Sequence, residues 1–150
     1  MYLLDTDVLI LAIRGLKSAR EPRLRQSALG LVERCRRATA EGDSVGLSAI
    51  TVAELEYGAR NSGRYEVEIA AVHKVLAPFE SYPFDPLACP VQYGRIRHAL
   101  QAAGATIGSM DLLIAAHALA LDATLVTENI AHFCRIPDLR TERWLSPESP

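Results

Sequence analysis

Short apolar runs alternate with longer segments of helical periodicity along almost the whole chain. Predicted strands cover residues 2–4, 45–47, 81–84 and 123–127, and a last short strand lies near residues 139–144. Such alternation is the pattern of βαβ units, whose strands lie parallel in one sheet with helices on its faces. The sequence therefore predicts an α/β fold with three layers, α/β/α, and a central, mostly parallel sheet of about five strands.

Apolar spacing and capping residues predict the helices between these strands. They cover residues 8–13, 22–40, 51–60, 65–76 and 110–121, and a further helix opens at Asp85 and ends at Gly104. Gly15 is expected to end the first helix, and Thr51 with Glu54 has capping-box spacing in the third. A chain of 150 residues, 49% of them hydrophobic, can bury one core without disulfides. We expect one domain over residues 1–145 and a short tail at 146–150.

Cysteine usage and the lack of an apolar leader favour a cytoplasmic protein. The three cysteines are odd in number and far apart, which is typical of reduced thiols. No apolar stretch approaches the roughly 20 residues of a membrane helix, so we expect no membrane association. The first 40 residues carry eight basic and four acidic groups. Arg14, Lys17 and Arg20 are candidate contacts to an RNA backbone, although such residues equally suit a solvated helix face.

Three carboxylates fall where predicted strands end or helices begin. Asp5 follows the first strand, Glu54 and Asp111 lie near helix starts, and Asp7 follows Asp5 closely. Each has a structural interpretation, because acidic side chains cap helices and favour their N-termini. Asp5 is the exception, since a carboxylate directly after a buried strand needs a compensating positive charge. If these oxygens converge, Mg²⁺ or Mn²⁺ suits them better than zinc.

Four segments together resemble one known family. They are Leu-Leu-Asp-Thr-Asp-Val-Leu at 3–9, Ser-Ala-Ile-Thr-Val-Ala-Glu-Leu at 48–55, Asp-Leu-Leu-Ile-Ala-Ala-His-Ala at 111–118 and Leu-Val-Thr-Glu-Asn at 125–129. In this order and spacing they resemble the PIN domain, most closely the VapC-type toxin ribonucleases of toxin–antitoxin pairs. The resemblance implies a PIN-like α/β/α fold in which Asp5, Glu54 and Asp111 are metal ligands.

The resemblance also implies roles for neighbouring residues. Asn129 takes the fourth catalytic position, where relatives often have aspartate, and Thr127 supports this corner of the site. Thr6, Asp7 and Ser109 are further supporting candidates, beside the acidic ligands. His132 stands where many relatives carry another acidic residue, which implies one firmly held metal and a second only with substrate. Considered without the resemblance, His132 is more often structural, and His117 is predicted to be a packed core histidine.

The activity implied by the resemblance is that of a Mg²⁺- or Mn²⁺-dependent endoribonuclease, in which a metal-activated water hydrolyses an RNA phosphodiester. Relatives often cut a particular tRNA or ribosomal RNA loop. They are toxins that bind a cognate VapB-like antitoxin and form homodimers, and they use the early helices and the region of residues 50–77 for these contacts. Because no covalent nucleophile stands out in the sequence, attack by water is the preferred mechanism.

Two alternatives stay open at this point. Asp5-Thr6-Asp7-Val8 also resembles the nucleophile motif of haloacid-dehalogenase-like phosphatases, in which Asp5 would be phosphorylated. That family needs a downstream basic residue and a closing acidic pair, whereas the only lysines are Lys17 and Lys74. The second alternative is a non-catalytic RNA-binding PIN module. The uncharged Asn129 keeps it open, because relatives often have an acidic ligand at this position.

Overall fold

The computed structural model describes residues 1–145, within which helices and strands alternate as the sequence predicts. The strands are β1 (Tyr2–Leu4), β2 (Val45–Ser48), β3 (Glu80–Tyr82), β4 (Thr124–Val126) and β5 (Thr141–Glu142). The helices are α1 (Thr6–Lys17), α2 (Pro22–Ala40), α3 (Ala49–Asn61), α4 (Tyr65–Leu76), α5 (Ala88–Ala102), α6 (Ser109–Ala120) and the short α7 (Ile130–Phe133). The predicted tail at 146–150 lies outside the described residues.

The five strands form one parallel sheet in the order β3-β2-β1-β4-β5. Leu4 at the end of β1 is paired with Leu47 on one side and with Val126 on the other. The carboxyl ends of β1, β2 and β4 are therefore level. Because chemistry in open parallel sheets concentrates at this edge, the residues that follow these strands are the first to examine. The α/β prediction is confirmed.

Successive residues of β1 point to opposite faces of the sheet, as a strand requires. Leu4 packs into one hydrophobic cluster with residues of α1, α2 and α4. Leu3 packs into a second cluster with residues of α5 and α6, including Ile96 and Ile114. Both leucines are fully buried, so helices cover both faces of the sheet and hold its central strands in place. Within residues 1–145, no helix is both long and apolar enough to cross a membrane.

The prediction that Gly15 ends the first helix is wrong. Helix α1 runs on to Lys17, and Gly15 is buried inside it. A Cβ atom at Gly15 would lie 2.5 Å from the carbonyl oxygen of Leu24 and 2.9 Å from the Cβ of Ala28. The glycine is therefore required by the close approach of α2, since tertiary packing overrides its low helix propensity here.

We expect Gly15→Ala to lower the free energy of unfolding by about 1 to 3 kcal/mol, because α1 and α2 must move apart to admit the methyl group. Urea unfolding measures the change. Gly30→Ala is the matched control: a Cβ there meets nothing within 4 Å, so alanine should stabilise α2 by about 0.5–1 kcal/mol. Equal effects at the two positions would contradict the packing explanation.

Two other helix starts differ from the prediction. Ser48, not Thr51, caps α3, because its hydroxyl accepts a hydrogen bond from the Ile50 amide at 3.1 Å. Glu54 therefore lies in the second turn of α3 and is not a capping-box residue. Helix α5 begins at Ala88 rather than at Asp85, whose carboxylate instead caps the preceding turn through the amides of residues 87 and 88.

Candidate active site

Asp5 is a buried carboxylate at the carboxyl edge of the sheet, with only 3% of its surface exposed. One carboxylate oxygen accepts a hydrogen bond from the Thr6 amide at 2.8 Å, which caps α1. The other accepts a hydrogen bond from the Thr127 hydroxyl, also at 2.8 Å. The pKa of Asp5 is raised to about 6, chiefly by burial; the negative charges of Asp7 and Asp111 also raise it, and the two hydrogen bonds lower it. Within residues 1–145, no basic side chain forms an ion pair with Asp5.

Thr6 connects the first strand with α3. Its hydroxyl donates a hydrogen bond to the Glu54 carboxylate and lies 3.3 Å from the hydroxyl of Thr51. Thr6 is 7% exposed and Thr51 is fully buried, so this contact is sheltered from water. Glu54 is thereby held beside the residue that follows Asp5, which supports the sequence prediction that both acids belong to one site.

Asp111 enters the site from the first turn of α6. Burial raises its pKa and the charge of Asp7 raises it too, whereas His132 lowers it. The His132 Nε2 atom lies 3.1 Å from an Asp111 carboxylate oxygen, but the two are not aligned as a hydrogen bond, and Nε2 has no such partner among the described residues. The contact is therefore an electrostatic one, in which a protonated His132 would offset part of the negative charge of Asp111.

The corner after β4 is organised by Thr127, which is fully buried. Its hydroxyl donates to Asp5 and accepts a hydrogen bond from the Asn129 amide at 3.1 Å. The Asn129 side chain is exposed and makes no capping bond to α7, so its amide group is free to approach a ligand. Ser109 is the first residue of α6 and is also exposed.

The carboxylate oxygens at this edge of the sheet are suitable ligands for a divalent cation, although the side chains do not yet surround one common point. Across residues 1–145, no three acidic, histidine or cysteine side chains form a ready-made metal-binding group. The negative charge of Asp111 raises the pKa of Asp5, while Glu54 accepts a hydrogen bond from Thr6. Like charges that repel without a cation are drawn together by one. Hard carboxylate oxygens are the ligands that Mg²⁺ and Mn²⁺ prefer. Convergence of all three carboxylates on a metal stays a prediction.

The basic candidates lie on α1 and the loop that follows it. Arg14 and Arg20 are exposed, whereas the Lys17 ammonium forms an ion pair with Glu68 of α4. A contact of these three residues with RNA stays a prediction. From the sequence, His132 is more often structural, whereas in the structure it contacts Asp111. No motif links residues 111 and 132, so this contact could not be predicted. His117 is fully buried, as predicted for a core histidine.

Comparison with known proteins gives a consistent result. The PIN-domain family model matches residues 2–139. Ribonuclease VapC2 of Rickettsia felis is 36% identical over 144 residues, which cover 96% of this chain and 98% of that protein. The tRNA(fMet)-specific endonuclease VapC of Salmonella typhimurium is 37% identical over 98 residues, or 65% of this chain and 74% of that protein. The crystal structure of VapBC2 from Rickettsia felis, bound to a DNA fragment from their promoter, superposes with a TM-score of 0.81 and 35% identity, covering 95% of this chain and 98% of that one.

Proposed function

Because this chain belongs to the PIN-domain family and is similar to VapC ribonucleases along nearly its whole length, we propose that it is a Mg²⁺- or Mn²⁺-dependent endoribonuclease. The observation that carries the proposal is the buried Asp5 carboxylate with a pKa of about 6, beside Asp111, at the carboxyl edge of the sheet. A fold does not retain an uncompensated buried acid for its stability. The acid is explained if a cation and an RNA phosphate bind there.

Asp5, Asp111 and Glu54 are the residues that would hold the cation. Two hydrogen bonds, from Thr127 and from the Thr6 amide, fix the orientation of Asp5, as supporting contacts do for ligands in metal sites. Glu54 accepts the Thr6 hydrogen bond through one carboxylate oxygen, so its other oxygen would be the one offered to the cation. A bound Mg²⁺ or Mn²⁺ lowers the pKa of a coordinated water and offsets the negative charge on the scissile phosphate. Asn129 would contribute an amide oxygen. Because it adds no negative charge, the site repels the RNA phosphates less than it would with an aspartate at this position.

The biological role that we propose is that of a toxin in a type II toxin–antitoxin pair. The similar Rickettsia felis protein belongs to a complex named VapBC2, and another similar protein is a tRNA(fMet)-specific endonuclease. By analogy, this chain would bind a VapB-like antitoxin, cut a structured RNA such as a tRNA or ribosomal RNA in the cytoplasm, and form a homodimer. Structured RNA presents unpaired loops, which proteins recognise by shape and by unstacked bases.

The proposal is tested by incubating the purified protein with total RNA and with synthetic single-stranded RNA. We expect internal cleavage with Mg²⁺ or Mn²⁺, and no cleavage after thorough chelation with EDTA. Restoring the ion should restore activity, which distinguishes chelation from denaturation. When Mg²⁺ does not saturate the site, the cleavage rate should fall as the pH drops below about 6, because the proton on Asp5 competes with the cation. Full activity in EDTA would refute the metal-dependent mechanism.

Membership of the PIN-domain family favours the ribonuclease over the haloacid-dehalogenase-like phosphatase. In that alternative Asp5 would attack a phosphate ester with the help of a basic residue, yet Lys17, one of the two lysines, is already paired with Glu68 of α4. A burst of phosphate from a small phosphate ester would support it. The non-catalytic RNA-binding module differs in another way: it requires RNA binding without cleavage in the presence of either metal.

A further inference from the structure

A second concave site, which we call the Tyr93 pocket, lies between α5 and α6 beside the acidic residues. It has a volume of about 270 Å³ and is lined by Tyr93, Arg97, Leu100, Gln101, Ser109 and Leu112, among others. Leu100 and Leu112 are buried and form its apolar floor, while the exposed Arg97, Gln101 and Ser109 give it a hydrogen-bonding rim. Sites that enclose a drug-sized ligand measure roughly 300–1,000 Å³, so this pocket suits a single planar ring system.

The Tyr93 pocket is adjacent to the acidic site in the first turn of α6. Ser109 and Leu112 line it, and Asp111 lies between them in the sequence, on a neighbouring face of the same turn. An RNA strand held at Asp111 therefore meets the same turn of α6 that lines this pocket. The shared turn makes the pocket a candidate site for a group of the same strand.

Arg97 supplies a positive charge at the rim of the Tyr93 pocket. Its guanidinium donates a hydrogen bond to the Tyr93 hydroxyl at 3.1 Å and lies 5.8 Å from the centre of that ring. In the part of the chain that the structure describes, Arg97 forms no ion pair with a carboxylate, whereas its neighbour Arg95 is paired with Asp138 at 2.8 Å. An uncompensated guanidinium beside an aromatic ring offers two surfaces for stacking, and Gln101 offers an amide donor and acceptor.

From this arrangement, and resting on the proposed ribonuclease function, we propose that the Tyr93 pocket binds the base of the RNA nucleotide next to the scissile phosphate. The base is turned out of the strand, rests on the apolar floor, stacks against Arg97 and Tyr93, and is read by Gln101. Single-stranded RNA is recognised in this way, by stacking on aromatic or guanidinium planes and by hydrogen bonds to base edges. The pocket would then give the enzyme a base preference at its cleavage position.

The test uses the full-length protein and a short single-stranded RNA with one mapped cleavage position. Binding is measured by fluorescence anisotropy with Ca²⁺ in place of Mg²⁺, and cleavage is measured separately with Mg²⁺. We expect Arg97→Ala to weaken binding roughly tenfold, as removal of one stacking contact does, and Gln101→Ala to relax the base preference next to the cut. Arg95→Ala is the matched control on the same helix and should leave both measurements within about twofold.

A second experiment places one abasic nucleotide in turn at each position that flanks the cut. It distinguishes binding of a base in the pocket from electrostatic attraction to the phosphates. One abasic position should weaken binding to the wild type roughly tenfold and weaken binding to Arg97→Ala by clearly less, since part of the contact with the base is already lost there. If abasic RNA binds the wild type normally, or if Arg97→Ala and Arg95→Ala are equally weakened, Arg97 contacts only the backbone and the inference is refuted. Wild-type protein that neither binds nor cuts RNA would instead refute the proposed function.

Discussion

Asp5→Asn should lose RNA cleavage by about a hundredfold or more and yet be more stable than the wild type in the absence of divalent metal. The activity falls because a cation at the scissile phosphate contributes several kcal/mol and each 1.36 kcal/mol is a factor of ten in rate. The stability rises because asparagine retains the shape of Asp5 without its buried charge. The Asn side chain can accept from the Thr6 amide and donate to the Thr127 oxygen, after the Thr127 hydroxyl turns.

The sign of the stability change follows from the direction of the pKa shift. Folding raises the pKa of Asp5 from 3.8 to about 6, so the native state holds this proton more tightly than the unfolded chain. That contribution to stability is fully present below pH 3.8 and is lost as the pH rises through about 6. At neutral pH the ionised Asp5 therefore lowers the free energy of unfolding, by an amount on the order of 3 kcal/mol.

Urea unfolding in EDTA from pH 4.5 to 7.5 measures this difference. The advantage of Asp5→Asn over the wild type should grow up to about pH 6 to 7 and then stay constant. Mg²⁺ should stabilise the wild type much more than the variant, because it binds only the folded, ionised site. Asp138→Asn is the control, since this exposed carboxylate should change stability by less than about 0.5 kcal/mol. A destabilised Asp5→Asn protein would show that the Asp5 charge is already compensated without metal.

The position of Asp5 is the part of the site that the sequence predicts best. A carboxylate after a short apolar run, in a chain of alternating strands and helices, can only lie at the carboxyl edge of a parallel sheet. The register of β1 with β2 and β4 brings Asp5, Ser48 and Thr127 to that edge. This much depends on local patterns and on the general rules of parallel sheets, both of which can be read from one sequence.

Contacts between elements distant in sequence could not be predicted in the same way. Gly15 resembles a helix stop because the sequence does not reveal how closely α2 approaches it. Thr51 has the spacing of a capping box, but Ser48 takes that role and leaves Glu54 to contact Thr6. In each case a tertiary contact decides between two local structures of similar energy, and tertiary contacts are what a single sequence specifies least directly.

His117→Ala should lower the free energy of unfolding by roughly 3 kcal/mol or more, the largest loss of stability that we expect from one substitution. His117 is fully buried, and its ring packs edge-on against Phe84 with the centroids 5.5 Å apart, so alanine leaves a cavity. Its Nδ1 atom also lies 2.8 Å from the Ser48 hydroxyl. Without the ring, the proton of that buried hydroxyl loses its acceptor, which costs about 1–3 kcal/mol.

The hydrogen bond between His117 and Ser48 joins the two helices that carry Glu54 and Asp111. The Ser48 oxygen accepts from the Ile50 amide, so its one proton is available for Nδ1, and burial lowers the pKa of His117 and favours the neutral ring that can accept it. Ser48 caps α3, and His117 lies six residues after Asp111 in α6, roughly 9 Å along that helix. Loss of this hydrogen bond would weaken core packing. It would also let the distance between the Glu54 and Asp111 side chains vary more widely.

A double-mutant cycle separates this contact from simple loss of volume. Ser48→Ala alone should cost about 1 kcal/mol through the lost cap and roughly a further 1–2 kcal/mol through the lost bond to His117. Because the bond to His117 can be lost only once, the double variant should be about 1–2 kcal/mol less destabilised than the two single effects predict together. His98→Ala and Ser62→Ala, both at exposed positions, are the controls and should be additive. Additivity of Ser48→Ala with His117→Ala would mean that the ring only fills space. If the two residues are coupled, their hydrogen bond in the core helps to fix the positions of Glu54 and Asp111 relative to each other.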